Sequence, residues 1–343
     1  MGDFTMPDKF IDIINFIKKL YKNSEKIPLH EPCFIGNEKK YLCDCIDSTF
    51  VSYIGKYVTL FEEAIKKFTG TKYAVAVSSG TVALHIALIV AGVKPGDEIL
   101  TQPLTFVATA NAISHAGAVP FFIDCERSTL GMSPEKLRDF LKKEVELRRD
   151  GYSYNIRTGA RIFACVPVHV FGHPVRIDDI LKLCEPYNII VIEDAAESLG
   201  SYYKEKHTGT FGKVGILSFN GNKIVTTGGG GMIITDDENV AYKARHLTTT
   251  AKVPHKWEFI HDEIGYNYRM PNVNAAIGVA QMEKITEFLE NKRETAKKYE
   301  EFCKEHEILF VSEPEGARSN YWLNAIILKD REERDAFLEY SNS

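Results

Sequence analysis

Between Tyr73 and Asp194 short apolar runs alternate with stretches of helical periodicity, and few folds accommodate that order. The runs YAVAV, EILTQ, VPFFID, IFACVPV and IIVIED have strand length and β-branched or aromatic content. Between them, TVALHIALIVAG, TFVATANAISHAG, SPEKLRDFLKKEV and RIDDILKLCEPYN have helical period. The alternation predicts an α/β fold with a mainly parallel sheet between two layers of helices. In such a sheet, ligands collect where strands end and helices begin.

The segments GILSFN and GMIITDD bracket the most unusual stretch of the chain, NKIVTTGGGG, with glycines at 228–231. Such a run can be a flexible linker. Here it leads directly into the apolar MIIT, which favours a tight loop between two strands where absent side chains admit a ligand. Beyond residue 270 the pattern predicts one long helix over NVNAAIGVAQMEKITEFLENKRETAKKYEEFCKEH, then a strand YWLNAIILK and a helix REERDAFLEY. A chain of 343 residues exceeds what one core usually supports. The expected division is an N-terminal helix and arm (1–54), a large domain (55–250) and a smaller, incomplete C-terminal α+β domain (251–343).

Composition narrows the function. With 44% hydrophobic and 26% charged residues, the chain is neither disordered nor collagenous. A net charge of −5 without a basic run argues against a nucleic-acid or anionic-membrane partner, but leaves room for a local pocket for a phosphorylated small molecule. The seven cysteines are odd in number and lack CxxC spacing, so neither zinc nor a disulfide framework is indicated. The pair Cys43 and Cys45 is expected to be surface thiols. MGDFTMPDKFIDIINFIKKLYK is amphipathic, with Phe10, Ile13, Ile14, Ile17 and Leu20 at helical spacing, and lacks the features of a signal peptide. Apolar runs such as IALIVAGV are too short to span a bilayer. The expectation is a soluble cytoplasmic protein.

Four segments could carry chemistry. In VSSGTVALHIAL, Ser79, Gly80 and Thr81 lie between a strand and a helix, as an ordinary helix cap or as a phosphate cradle. In IIVIEDAAESLG, Asp194 emerges from a buried strand and must find a cation or donors, or cap the next helix. Glu197 is a weaker candidate and is compatible with solvent exposure. In SFNGNKIVTTGGGG, Lys223 is either a surface charge or, beside Ser218, Asn220 and Asn222, a partly desolvated amine able to attack a carbonyl. In GYNYRMPNVNAAIG, Tyr266, Asn267, Tyr268 and Arg269 form the start of a helix or an anion contact made by a guanidinium and an amide. A phosphate cradle, a strand-end aspartate and a loop lysine, in that order, are the three anchors that pyridoxal 5'-phosphate needs.

The motifs SSGTVAL, TFVATANAI, EDAAESLGS, SFNGNK, TTGGGGM and GYNYRMPNVNAAIG, from about Gly55 to Leu328, resemble those of the DegT-type sugar aminotransferases. These are fold type I pyridoxal-phosphate enzymes acting on nucleotide-linked keto sugars. The resemblance implies that Lys223 holds the cofactor as a Schiff base and that Asp194 partners the ring nitrogen. It implies that Phe106 lies beside the ring, that Ser79, Gly80, Thr81, Ser218 and Asn220 belong to the cofactor site, and that Glu197 sits where many relatives carry Gln. Asn267 matches a residue that reaches the phosphate from a second subunit, which implies a homodimer with shared active sites.

The opening segment FIGNEKKYLCDCIDSTFVSYIGKYV resembles the subgroup of legionaminic-acid and bacillosamine type. That resemblance implies glutamate as donor, a 4-keto-6-deoxyhexose (2-acetamido) nucleotide as acceptor, and a 4-amino-4,6-dideoxy product for surface glycans. Two departures stand out. Gly229 occupies a position where relatives commonly carry an acid. The chain also stops at Ser343 earlier than relatives do, so a shortened smaller domain is expected. Rival expectations are a sugar dehydratase of the same fold, whose relatives carry His in place of the lysine, and a non-catalytic scaffold or sensor.

Overall fold

The computed structural model describes residues 8–22 and 26–342. Helices α1 (Asp8–Leu20), α2 (Glu38–Asp47) and α3 (Lys56–Thr69) precede β1 (Tyr73–Val77), α4 (Gly80–Ala91), β2 (Glu98–Thr101), α5 (Ala108–His115) and β3 (Val119–Phe122). Next come α6 (Pro134–Glu144), β4 (Val145–Leu147), β5 (Ser153–Asn155), β6 (Arg161–Cys165), α7 (Ile177–Cys184) and β7 (Ile190–Asp194). The short strands β8 (Tyr202–Tyr203) and β9 (Lys206–His207) lead to β10 (Val214–Ser218), β11 (Gly231–Thr235) and α8 (Glu238–Thr248). The chain continues through α9 (Asn272–Met282), α10 (Ile285–Glu305), β12 (Leu309–Phe310), β13 (Ala317–Arg318), β14 (Ile326–Ile327) and α11 (Arg331–Asn342).

The main sheet has the order β1-β11-β10-β7-β6-β2-β3, with β4 and β5 appended to β6. Strands β10, β7, β6, β2 and β3 pair in parallel, and β11 runs against both of its neighbours. Because side chains alternate along a strand, each strand feeds two cores. Val75 and Val77 of β1, with Ile216 and Ile233, pack on Leu84 and Leu88 of α4 and Leu247 of α8. Their neighbours Ala74, Ala76, Leu217, Met232 and Ile234 face Phe61 and Ile65 of α3 and Ala275 and Ala276 of α9. Farther along, Leu100, Cys165 and Val191 pack on Leu137 and Leu141 of α6 and on Ile177 and Ile180 of α7. Apart from these, Phe10 and Ile13 of α1 cluster with Cys303, Ile308, Phe310, Ile326 and Phe337.

The expected strand–helix alternation is therefore present, with ends shifted by a few residues. Caps explain several starts: Ser133 accepts from the Lys136 amide before Pro134, and Asp237 accepts from the amides of Asn239 and Val240. Residues 1–7 of the N-terminal amphipathic segment lie outside the described residues. Cys43 is exposed as expected, but Cys45 is buried, with its thiol directed at the Asn272 carbonyl.

Two expectations fail near the C-terminus. The single long helix is broken between Met282 and Ile285 without a proline or glycine there. Tertiary contacts end α9: Gln281 donates to the Cys33 carbonyl and to Glu38, while Glu283 receives bonds from Asn37 and Tyr41. The expected strand over YWLNAIILK shrinks to Ile326–Ile327. Before it, Tyr321 takes a φ of 47° and the Trp322 amide donates to Asn320 Oδ1, which turns Trp322 inward. Among the described residues no helix is long and apolar enough to cross a membrane.

Candidate active site

Because β1 and β10 both run against β11, their carboxyl ends lie on one edge of the sheet, beside that of β7. Strand β11 starts where they end, so the glycine run reaches the same edge. A cavity of about 290 Å³ opens there, and every residue that the family resemblance assigns to the site lines it except Asn267. Asn267 is exposed and pairs with Thr249 through a β-bridge outside this cavity.

Ser79 is the N-cap of α4: its Oγ accepts from the Val82 amide at 3.2 Å. The cap reading is therefore met, and it is compatible with a cradle at the same helix start. Gly80 and Thr81, the first helical residues, have no intrahelical acceptor for their N–H groups. Those groups face the cavity at the positive end of the α4 dipole. Glycine is needed at 80 because a Cβ there would stand 2.8 Å from Ser218 Cβ, at the end of β10. Backbone crowding also fixes Gly231, whose Cβ would lie 2.3 Å from the Ser79 carbonyl oxygen.

Alternation along β7 separates two adjacent acids. Glu193 points away from the cavity and is fully buried, accepting from the amides of Gly209, Phe211 and Gly212 and contacting His169 Nε2 at 3.1 Å. Burial works to raise its pKa, yet these hydrogen bonds hold it below the usual carboxylate value. Asp194 faces the cavity. Its Oδ1 accepts from the Ala196 amide at 3.1 Å, and its Oδ2 accepts from Thr109 Oγ1 at 2.7 Å. Burial dominates here and raises the Asp194 pKa. No helix follows Asp194; residues 195–200 form turns.

Lys223 is not a surface charge. Its Nζ stands 3.6 Å from Glu197 Oε1 and 3.6 Å from the centroid of the Trp322 ring. Burial lowers its pKa, against the opposing charges of Glu197 and Asp194. Glu197 is not solvated either. Its Oε2 accepts from the Phe171 amide at 2.8 Å, and burial raises its pKa. The Lys223 loop is held by the Phe219 amide donating to the Gly230 carbonyl and by Trp322 Nε1 donating to the Asn222 carbonyl at 2.6 Å. Asn220 Nδ2 donates to Asn222 Oδ1 on the same loop. Phe106, 70% exposed, stands at the cavity mouth.

The anion contact considered for Arg269 is made instead to the protein itself. The guanidinium is buried and donates to Glu62 Oε1 at 2.9 Å. Thr109 and Trp322 belong to the cavity although the sequence does not single them out. Thr109 lies within TFVATANAI, where its small size gives no signal beyond that of its neighbours. Trp322 is hidden inside an apparent strand.

These residues fit pyridoxal 5'-phosphate. A helix N-terminus that excludes a Cβ, a buried carboxylate with raised pKa and a buried amine with lowered pKa share one cavity. Known proteins point the same way. Residues 32–343 match the DegT/DnrJ/EryC1/StrS aminotransferase family. The chain is 37% identical over 309 residues to GDP-perosamine synthase of Escherichia coli O157:H7, covering 90% of this chain and 80% of that one. It is 41% identical over 305 residues to Bacillus subtilis (strain 168) EpsN, whose name assigns it provisionally to the pyridoxal phosphate-dependent aminotransferases; 89% of this chain and 76% of that one are covered.

Among solved structures, the aminotransferase TlmJ of Streptoalloteichus hindustanus superimposes with a TM-score of 0.81 at 28% identity, covering 91% of this chain and 81% of that one. Helicobacter pylori PseC, an aminotransferase involved in the biosynthesis of pseudoaminic acid, gives 0.79 at 26% identity, covering 89% and 78%. The fold is accordingly that of the type I pyridoxal-phosphate enzymes. The chain belongs to the DegT/DnrJ/EryC1/StrS family and is a pyridoxal-phosphate-dependent sugar aminotransferase.

Proposed function

We propose that this enzyme moves an amino group from glutamate to the keto carbon of a nucleotide-linked 4-keto-6-deoxyhexose, giving a 4-amino-4,6-dideoxy sugar nucleotide for surface glycans. The observation that carries the reading is the placement of the Lys223 amine, held between Glu197 and Trp322 in the cavity that Asp194 also lines. Relatives named for making GDP-perosamine support a nucleotide-linked sugar as substrate.

Bound pyridoxal 5'-phosphate supplies a carbonyl that takes the donor nitrogen and a ring that takes up electrons released at the donor's α-carbon. The protein's own residues do the rest. Gly80 and Thr81 amides, with the Ser218 hydroxyl, hold the phosphate, beside Ser79 as cap and Asn220 on the lysine loop. Asp194, oriented by Thr109 and the Ala196 amide, keeps a proton on the ring nitrogen. Phe106 covers the outer side of the site against water. Lys223 Nζ takes the proton from the donor's α-carbon and returns it on the opposite side of the transfer. Its depressed pKa raises the fraction of free amine at neutral pH, and Glu197 limits that depression.

Asn267 acts in the site of a second copy, making the enzyme a cytoplasmic homodimer with shared active sites. Support comes from the exposed apolar groups around it in sequence, Trp257, Phe259 and Ile264, and from Phe50, Val51 and Ile54. A large unit over 55–250 carries the cofactor site, and 251–343 forms the smaller one. The test is a panel of UDP- and GDP-linked 4-keto-6-deoxyhexoses, with and without a 2-acetamido group, incubated with glutamate and read by mass spectrometry. One acceptor gaining an amino group at C4 is expected. Amination at C3, or of none of the panel, overturns the substrate assignment.

A further inference from the structure

The two groups against Lys223 Nζ come from distant parts of the chain. Glu197 lies in the turns after β7, and Trp322 lies on the connection between β13 and β14. Asn320 binds both. It is fully buried and does not line the Lys223 cavity. Its Nδ2 donates to the Glu197 carbonyl and to the Leu199 carbonyl, each at 2.9 Å. Its Oδ1 accepts from the Trp322 amide at 2.8 Å. The two N–H groups and the oxygen of this carboxamide are all in use, and its bonds converge on the residues that touch the amine.

The surroundings are shaped around that side chain. Gly172 has a φ of 95°, and a Cβ there would stand 1.8 Å from Asn320 Oδ1. The preceding Phe171 takes a φ of 56°, in the left-handed region, where an aromatic residue is strained. Its amide donates to Glu197 Oε2 at 2.8 Å, so Glu197 is held at its main chain by Asn320 and at its carboxylate by Phe171. Trp322 is fixed further by its Nε1 on the Asn222 carbonyl at 2.6 Å. Its own carbonyl accepts at 3.2 Å from Lys292 Nζ, an amine whose pKa burial brings down to about 8. The titratable groups that feel Lys223 are Glu197, Asp194 and His30.

We propose that Asn320 is a positioning residue for the amino transfer: by binding Glu197 and Trp322 together, it fixes the carboxylate and the ring between which Lys223 Nζ carries its proton. The proposal rests on the reading of Lys223 as the amine that bears the cofactor. An aromatic face and a carboxylate both favour a protonated nitrogen, and both effects depend on close approach. In a buried network with every member satisfied, no water stands ready to replace a lost bond.

The test is a pH titration of the absorbance of the cofactor-loaded enzyme, whose band reports the proton on Nζ once that nitrogen is joined to the cofactor. In Asn320→Ala the midpoint should fall by about 0.5–1 pH unit, the scale of a loosened cation–π and charge contact. Turnover should fall about 10- to 100-fold, the range for a displaced reacting group. In a Glu197→Gln background the same substitution should move the midpoint less than it does alone, because one of its two routes is already cut. Asn320→Ser, which keeps a hydroxyl donor, should shift the midpoint the same way by a smaller amount, and carries the test where alanine prevents folding. A lowered melting temperature with the midpoint in place, a midpoint that rises, unchanged turnover or a fully additive double variant overturns the proposal. The Lys223 assignment is read separately, by borohydride reduction and peptide mapping of the wild-type enzyme. Label on Lys223 with a midpoint indifferent to Asn320 removes the positioning role alone, whereas label elsewhere removes the reading beneath it.

Discussion

Lys223 Nζ and Glu197 Oε1 lie 3.6 Å apart, with both side chains largely out of water. Burial pushes each toward its neutral form, and each favours the charged form of the other. The pair therefore sets how much free amine exists at neutral pH. Replacing Glu197 by Gln removes the main charge that opposes burial, so the Lys223 pKa falls further. In the cofactor-free protein, the midpoint of the pH profile for labelling Lys223 with an amine-acylating reagent should move to lower pH. An unchanged or raised midpoint contradicts this coupling.

Lys223→Ala removes the amine placed to move the proton in the proposed reaction. Turnover should fall by about 10²- to 10⁴-fold, the range for loss of a general acid–base group. Borohydride reduction of the wild-type enzyme should fix the cofactor on the peptide containing Lys223, and on no other. A label elsewhere would refute the assignment.

Thr109→Val tests the hydrogen bond to Asp194 Oδ2 without changing side-chain shape greatly. A buried carboxylate deprived of one donor is destabilised by about 1.5–3 kcal/mol, the worth of a hydrogen bond to a charged group. Cofactor retention should weaken at least about tenfold by that measure, as read by equilibrium dialysis. Retention equal to wild type would mean that the Ala196 amide orients Asp194 unaided.

Two glycines of the site should behave differently. A Cβ at Gly80 meets Ser218 Cβ at 2.8 Å, so Gly80→Ala strains the phosphate cradle by about 1–3 kcal/mol despite the better helix propensity of alanine. At Gly229 the nearest atom to a Cβ is the Ser78 carbonyl oxygen, 3.9 Å away, and the backbone φ is not in the left-handed region. Gly229→Ala should keep the wild-type melting temperature and cofactor affinity, while Gly80→Ala loses cofactor.

Acid should destabilise the fold through two buried histidines. The pKa values of His173 and His207 are lowered from 6.5 to about 4 by burial. Between those values the unfolded chain binds more protons than the folded one, so stability falls as pH drops from 6.5 to 4. Each contributes a loss on the order of 3 kcal/mol across that window. Urea denaturation at pH 7 and pH 4.5 measures it. In His207→Gln the dependence on pH should be shallower, and an equally steep one would show that other groups govern the acid transition.

The main sheet and the chain order of the segments that carry Gly80, Asp194 and Lys223 to one cavity were legible in the sequence. The period of apolar residues and the end of each run are local properties, and parallel pairing then brings strand ends to one edge. Glu193 and Asp194 differ by one position, and strand alternation alone sends them to opposite faces. What the tertiary structure decided was everything that depends on which distant groups meet. The long C-terminal helix ends at Met282 because Gln281 and Glu283 are bound by residues more than two hundred positions away. Trp322 leaves an apparent strand to lie under Lys223, and Arg269 finds its anion in Glu62. The charge states of Lys223, Glu197 and Lys292 are set by desolvation, a property of the packed interior that no single segment of chain possesses.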